Sequence, residues 1–292
     1  MSRLPSLFLK CILALGTPDP SAPPPSKHSP KDPPIVWTAT GFLYGHIPPG
    51  QTQQGYVYLV TNRHVVEDVP LLYMRFNPAV EHSRAKHYGC PLLDRAGRPL
   101  WCGHPDPEID IAVIPFDFPE MRVSERLSEL MFSSQHTAYM VERMRELVCE
   151  GDDVFILGFP LGAVGSFRNA PVVRRGCIAQ VQELYSGHAD SYLVDAEVFP
   201  GNSGGPVVLA PEVMIPSDGP AVRPALIGIA YSYLAYQDVA TSNQTGHARI
   251  LFEENSGLTQ VYPVDCIEET IAEHLTQAAT KKTTKTKARR RA

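Results

Sequence analysis

No run in the 292 residues approaches the roughly 18 apolar side chains that a membrane-spanning helix needs, which excludes an integral helical membrane protein. Cysteine is scarce: six in a chain this long do not make a disulfide-dense secreted scaffold. Glycine and proline, 21 and 28 residues, fall below the share of a disordered or collagen-like chain. Positive charge is short as well. The net charge is −5, but the last twelve residues, KKTTKTKARRRA, hold seven basic groups and no acid, so residues 1–280 carry 19 basic against 31 acidic groups. A body at −12 is a poor partner for a phosphate backbone, and no nucleic acid is expected. What remains, 43% hydrophobic and 20% charged residues, is ordinary globular composition with enough length for one large or two modest domains.

The amino terminus, MSRLPSLFLKCILALG, has two readings. Arg3 and the apolar stretch could start a signal peptide, but Lys10 interrupts that stretch and no small-x-small cleavage site follows. The preferred reading is a strand, LFLKCILAL, that enters the fold. Residues 17–34 hold eight prolines, which give up backbone donors and keep the chain extended, so this is a surface loop or linker.

From Trp37 onward, short apolar segments alternate with turn residues. TGFLYG, GYVYLVTN, DIAVIPF, DVFILGFP, PVVRRGCIAQV, YLVDAEV, GPVVLA and ALIGIAYSY all predict strands, hence an all-β sandwich or barrel. Two segments differ. AYMVERMRELVC (138–149) has helical spacing, and residues 265–280 predict a C-terminal helix capped by Asp265, with Ile267, Ile271 and Leu275 on one face. The tail from residue 281 is expected to be disordered.

Three segments carry chemistry. Gly201-Asn202-Ser203-Gly204-Gly205-Pro206 lies between two predicted strands. A serine hydroxyl is a weak nucleophile that needs a base, and the oxyanion it creates needs preorganised donors. Glycines around Ser203 let the backbone turn tightly and aim amides into one pocket. Val60-Thr61-Asn62-Arg63-His64-Val65-Val66 puts a histidine where a strand gives way to a turn, and Asp110 opens the apolar segment Asp110-Ile111-Ala112-Val113. A carboxylate there would orient the imidazole and stabilise its charged form.

The order His64…Asp110…Ser203 and the motifs TGFL, VTNRHVV, DIAV, GDDVFILGFPLG and GNSGGP together resemble the trypsin-like serine peptidases of the chymotrypsin fold, nearest their bacterial HtrA-like branch. The resemblance covers roughly residues 35–235, within a peptidase domain taken as 35–264. It implies two six-stranded antiparallel β-barrels. It also implies a serine endopeptidase with His64 as general base, Asp110 as its orienting partner, Ser203 as nucleophile and the amides of Gly201 and Ser203 as oxyanion hole. The alternative is a silent protease-fold domain that binds peptides or a protein partner.

Departures from the family's pattern carry further expectations. Secreted members often have Asp before the nucleophile to pair with a new N-terminus. Here Asn202 carries no charge, so Ile35-Val36 is not expected to be released by activating cleavage. Val65 and residues 198–200 stand where secreted trypsins usually have cysteines, which fits a reducing compartment or a bacterial type; the location expected is cytoplasmic, the alternative being export through an N-terminal signal. By resemblance Glu197 lies at the base of the substrate pocket and would favour Arg or Lys. If Arg174 or Arg175 neutralised it, a small apolar pocket walled by Ile229 and Ala230 would remain. Cys90 and Cys102 flank the turn Asp94–Gly97, and with His87 and His104 could ligate zinc, though two unlinked thiols on a hairpin are the simpler reading. No cofactor or metal is expected. The partners expected are protein or peptide substrates, and no PDZ domain is expected after the peptidase.

Overall fold

The computed structural model describes residues 4–22, 33–48, 50, 55–78, 82–116, 132–133, 137–211 and 223–289. Most of the proline-rich segment lies outside them. No described helix is long and apolar enough to cross a membrane.

The N-terminal half is one sheet built from β1 (Ile12–Pro18), β2 (Ile35–His46), β3 (Tyr56–Thr61), β4 (Leu71–Phe76), β5 (Lys86–Pro91), β6 (Cys102–Gly103), β7 (Ala112–Pro115) and β8 (Phe132–Ser133). Its path runs β5-β4-β1-β2-β3-β7-β6, with β8 beside β2. The C-terminal half holds β9 (Asp153–Gly158), β10 (Val172–Gln180), β11 (Tyr192–Asp195), β12 (Pro206–Leu209), β13 (Ala225–Thr241) and β14 (Ala248–Pro263). These six close into a barrel in the order β10-β11-β14-β13-β12-β9. The fold is the all-β, trypsin-like architecture that the motifs imply.

One detail differs. The N-terminal sheet is a half-barrel, not a closed six-stranded barrel: its end strands β5 and β6 share no ladder among the described residues and are joined only through the hairpin bridge Leu93–Pro99. Its last strand, β6, is two residues long.

Strand alternation builds the seam between the halves. In β9, Val154 and Ile156 fill the barrel interior, while Phe155 and Leu157 join the core shared with the N-terminal sheet. β12 does the same with Val207 and Leu209 against Val208 and Ala210. β9 and β12 therefore form the wall on which the halves meet, and the segments at their ends fall at the seam.

The helices are α1 (Ser6–Leu9), α2 (Val141–Leu147), α3 (Gln182–Tyr185) and α4 (Val264–Arg289). α1 corrects the strand expected over 7–15. In a continuous strand Phe8, Lys10 and Ile12 would share a face. The chain instead makes a helical turn, burying Phe8 and Ile12 and leaving Lys10 exposed, so that β1 begins at Ile12. α2 forms within the expected helical segment and buries Met144. Asp265 does not cap its own helix: it lies in the first turn of α4 and accepts the amide of Val141 at 2.8 Å, anchoring the start of α2. Ile267 and Ile271 of α4 are fully buried. The helix runs on to Arg289, through most of the basic segment expected to be disordered.

Beyond the predicted strands, β4 and β5 form a pair that the sequence reading did not single out, and β13 extends past the expected ALIGIAYSY to pair with β14 as a long ribbon.

Candidate active site

His64 lies in a single 3-10 turn, Arg63–Val65, directly after β3. The turn is fixed from both sides. The Arg63 guanidinium donates to the carbonyls of His104 at 2.6 Å, Pro107 at 3.2 Å and Asp106 at 3.3 Å. The Asn62 amide donates to the Asp110 carbonyl at 2.8 Å. The loop carrying Asp110 is thereby stapled to the turn carrying His64.

Both carboxylate oxygens of Asp110 are spent on His64. One accepts Nδ1–H at 2.5 Å and the other accepts the His64 backbone amide at 2.9 Å. A carboxylate can only accept, so the proton sits on Nδ1 and the Nε2 lone pair is left open. His64 and Ser203 line the same cavity, of about 230 Å³. Among the described residues no hydrogen bond joins their side chains, a looseness common before substrate arrives.

The segment Pro200–Gly205 needs its glycines. Gly201 has φ +102° and a Cβ there would lie 2.3 Å from the Phe159 carbonyl oxygen. Gly204 has φ +82° and its Cβ would lie 2.1 Å from the Thr40 carbonyl oxygen. Only glycine fits either place. The Leu161 amide donates to the Pro200 carbonyl at 2.7 Å. In a trans peptide the N–H points opposite the C=O, so this bond turns the Gly201 amide away from the Phe159–Gly162 segment. The amides of Asn202, Gly204 and Gly205 are all bonded internally, to Phe199, Ala230 and Asn202. Those of Gly201 and Ser203 have no partner among the described residues. Two unspent donors beside one hydroxyl are what an oxyanion would require.

Thr40 was visible in the sequence only as part of TGFL, and it is a hub. It is fully buried. Its amide donates to the Ser203 carbonyl at 2.9 Å, its hydroxyl donates to the Gly201 carbonyl at 2.6 Å, and the same hydroxyl accepts the Phe159 amide at 3.0 Å. A hydroxyl beside a glycine in an otherwise apolar strand was the available signal.

The pocket wall is apolar and aromatic: Val198, Phe199, Pro200, Ala230, Tyr231 and Tyr233. Tyr231 stacks on Tyr262 at 3.9 Å, and the Tyr262 hydroxyl donates to the Glu108 carbonyl at 3.1 Å. Burial pushes that hydroxyl above its ordinary value, so it stays protonated and keeps the bond.

The expected pocket acid is not there. Glu197 is exposed and is not among the residues lining the cavity, because Val198 and Phe199 turn inward in its place. It is not neutralised by an arginine either: Arg175 pairs with Asp153, and Arg174 sits over the Phe199 ring at 4.9 Å. Ala230 lines the cavity, whereas Ile229 is fully buried behind it.

Asn202 is buried, and its side-chain nitrogen has no hydrogen-bond partner among the described residues. Ile35 and Val36 lie in β2, opposite Pro18 and Thr17 of β1. None of the six cysteines forms a disulfide. The hairpin about Asp94–Gly97 forms, but Cys90 pairs across from Leu72 and Cys102 across from Val113. Among the described residues His87, Cys90, Cys102 and His104 form no three-ligand cluster. Instead His104 Nδ1 accepts the Asp106 amide at 3.0 Å and Nε2–H donates to Glu269 at 2.9 Å, clasping α4 against the loop that carries Asp110.

A family model described as a trypsin-like peptidase domain matches residues 39–213. Among solved structures, the chain is similar to the HtrA-type protease AlgW with a tripeptide, at 18% identity and a TM-score of 0.45, over 91% of this chain and 60% of that one. It therefore spans less than two thirds of that protein. It is also similar to the MamO protease domain from Magnetospirillum magneticum in its apo form, at 16% identity and a TM-score of 0.39, over 89% of this chain and 95% of that one. No curated protein matches the chain by sequence.

Proposed function

This chain belongs to the trypsin-like peptidase family, and from that premise we propose that it is a serine endopeptidase acting through His64, Asp110 and Ser203. The observation that carries the reading is the pair of hydrogen bonds that Asp110 accepts from one histidine, at 2.5 and 2.9 Å. They hold Nδ1 protonated and leave Nε2 as the base. His64 takes the Ser203 proton, and the hydroxyl oxygen attacks the peptide carbonyl. The oxyanion is received by the amides of Gly201 and Ser203, which have no other partner among the described residues. The protonated His64 gives its proton to the leaving amine, and an acyl group stays on Ser203. Water, deprotonated by the same base, then releases the acid.

The cavity lining supports an apolar or aromatic side chain before the scissile bond. A pocket walled by Val198, Phe199, Ala230 and Tyr231 offers a cation no carboxylate, and burying an unpaired charge there is costly.

Labelling with a fluorophosphonate probe tests the reading. Wild type should react, and Ser203→Ala and His64→Ala should not. If folded wild type is not labelled at any pH, the chain is a protease-fold binding domain and the enzymatic reading falls.

A further inference from the structure

β13 does two jobs. Its first half belongs to the barrel, and Ala230–Tyr233 form one wall of the active-site cavity. Beyond Tyr233 it leaves the barrel and continues to Thr241, paired only with β14 among the described strands. The result is a two-stranded arm with free edges. Such a ribbon has no second layer to cover it, and on its own it gains little from burial. Yet it carries large apolar side chains into solvent: Val239, Leu251 and Phe252 are 47%, 57% and 51% exposed.

The alternation of the strands sorts these residues. Val239 pairs across from Leu251 and Gln237 across from Glu253. They share one face with Tyr233, whose hydroxyl donates to Glu253 at 3.3 Å, and with Asn255, whose amide donates to the Val198 carbonyl at 2.5 Å. Tyr233 and Val198 both line the cavity. This face of the arm is thus the outward continuation of the pocket wall. First comes a carboxylate, Glu253, held by Tyr233 and by Gln237 at 3.2 Å, both neutral donors, and no cation pairs with it among the described residues. Next comes the apolar pair Val239 and Leu251. Six residues of strand separate Tyr233 from Val239, about 20 Å.

The geometry points to this face as an exosite for the substrate itself: an extended flank of the cleaved polypeptide, bearing a cationic side chain for Glu253 and an apolar one for Val239 and Leu251. The inference rests on the peptidase reading for its function, but the surface can be tested without it. Continuity with the cavity chooses the occupant. A chain whose scissile residue enters the pocket needs only about six further residues, extended, to reach Leu251. The carboxylate of Glu253 chooses its charge.

The test compares a short fluorogenic substrate, confined to the pocket, with twelve-residue peptides carrying Lys and Leu on one flank or the other of the same cleaved bond. The ratio of kcat/KM, flanked over short, should exceed one for one of the two flanks. It should fall about tenfold in Val239→Ser/Leu251→Ser, through KM. Glu253→Lys should reverse the preference between the Lys-bearing peptide and its Lys→Glu counterpart, a rescue that a purely structural arm would not give. Equal ratios in wild type and variants, or no reversal, would overturn the exosite. In parallel, binding of the fluorescent flanked peptide to Ser203→Ala by anisotropy separates the two readings. Binding that tracks Glu253 while the wild type hydrolyses neither peptide would keep the exosite and sink the peptidase. Hydrolysis with arm-independent binding would do the opposite.

Discussion

The hydroxyl of Thr40 donates to the carbonyl oxygen of Gly201 at 2.6 Å, joining residues 161 positions apart in the chain. The Thr40 hydroxyl oxygen in turn accepts the Phe159 amide, and the Thr40 amide donates to the Ser203 carbonyl. One residue of β2 thus fixes three points around the two amides left open at Gly201 and Ser203. The N-terminal sheet does more than contribute His64 and Asp110; it sets the backbone of the segment that belongs to the other barrel.

Thr40→Val keeps the shape and removes both hydroxyl bonds, leaving a buried carbonyl and a buried amide without partners. The expected loss is about 1–3 kcal/mol of stability. With the Gly201 peptide freer to rotate, kcat should fall about 10- to 100-fold with KM little changed. Thr40→Ser keeps the hydroxyl and should recover most of the rate. Urea midpoints and steady-state kinetics on the three proteins check this, and a Val variant that loses stability but keeps kcat would confine Thr40 to the fold.

Asp110→Asn offers one acceptor where His64 now uses two, at 2.5 and 2.9 Å. The side-chain amide can also donate to Nδ1, which would put the proton on Nε2 and abolish the base. Turnover should fall by roughly four orders of magnitude, and Ser203→Ala by roughly four to six. Retained helix and strand signals in circular dichroism would show that the fold survives, and active variants would disprove the assignment.

Because Glu197 is exposed and the cavity is lined by Phe199, Ala230 and Tyr231, peptides with Phe or Leu before the cleaved bond should outrun those with Arg. A buried unpaired guanidinium costs at least a few kcal/mol, so the preference should reach about 100-fold. Glu197→Gln should leave that ratio where it is. Profiling a peptide library with both proteins decides it. An Arg preference abolished by Glu197→Gln would restore the acid to the pocket.

How much of this was legible in the sequence follows from the range of the forces involved. His64, Asp110 and Ser203 are carried by short motifs because each sits on a local strand-to-turn geometry, and Gly201 and Gly204 are readable because only glycine fits them. Which way Glu197 points is another matter. It depends on the turn between β11 and Pro200, where Val198 faces inward, and strand alternation cannot be counted through a turn. The arm was invisible for a related reason. Residues 234–254 are polar and apolar in turn on both faces, so no buried face marks them, and β14 was not recognised as a strand. α1 reads as strand by propensity until Lys10 is required to face water. Thr40 was legible as a motif but not as a hub, since its partners, Phe159 and Gly201, come from the other barrel.

Buried thiols weaken the fold at alkaline pH, Cys11 and Cys266 foremost, with Cys90 raised by burial in the same direction. Burial pushes Cys11 and Cys266 up to about 12 from an ordinary 9.0. In the unfolded chain both titrate near 9.0, so above that pH the unfolded state binds fewer protons than the folded one. Their contribution is fully present below pH 9.0 and is lost progressively as pH rises toward 12. Each thiol should cost about 1.4 kcal/mol at one pH unit above its unfolded value, so about 2–3 kcal/mol of stability should disappear by pH 10. The Tyr192 hydroxyl, fully shielded and raised well above its ordinary 10.0, steepens the fall beyond that point. Urea unfolding under reductant at pH 7, 9 and 10 measures the slope. Cys11→Ala should lower that slope between pH 9 and 10, whatever it does to stability at pH 7. An unchanged slope in that variant would mean that Cys11 is not shielded from solvent as the packing of α1 on β1 and β8 implies.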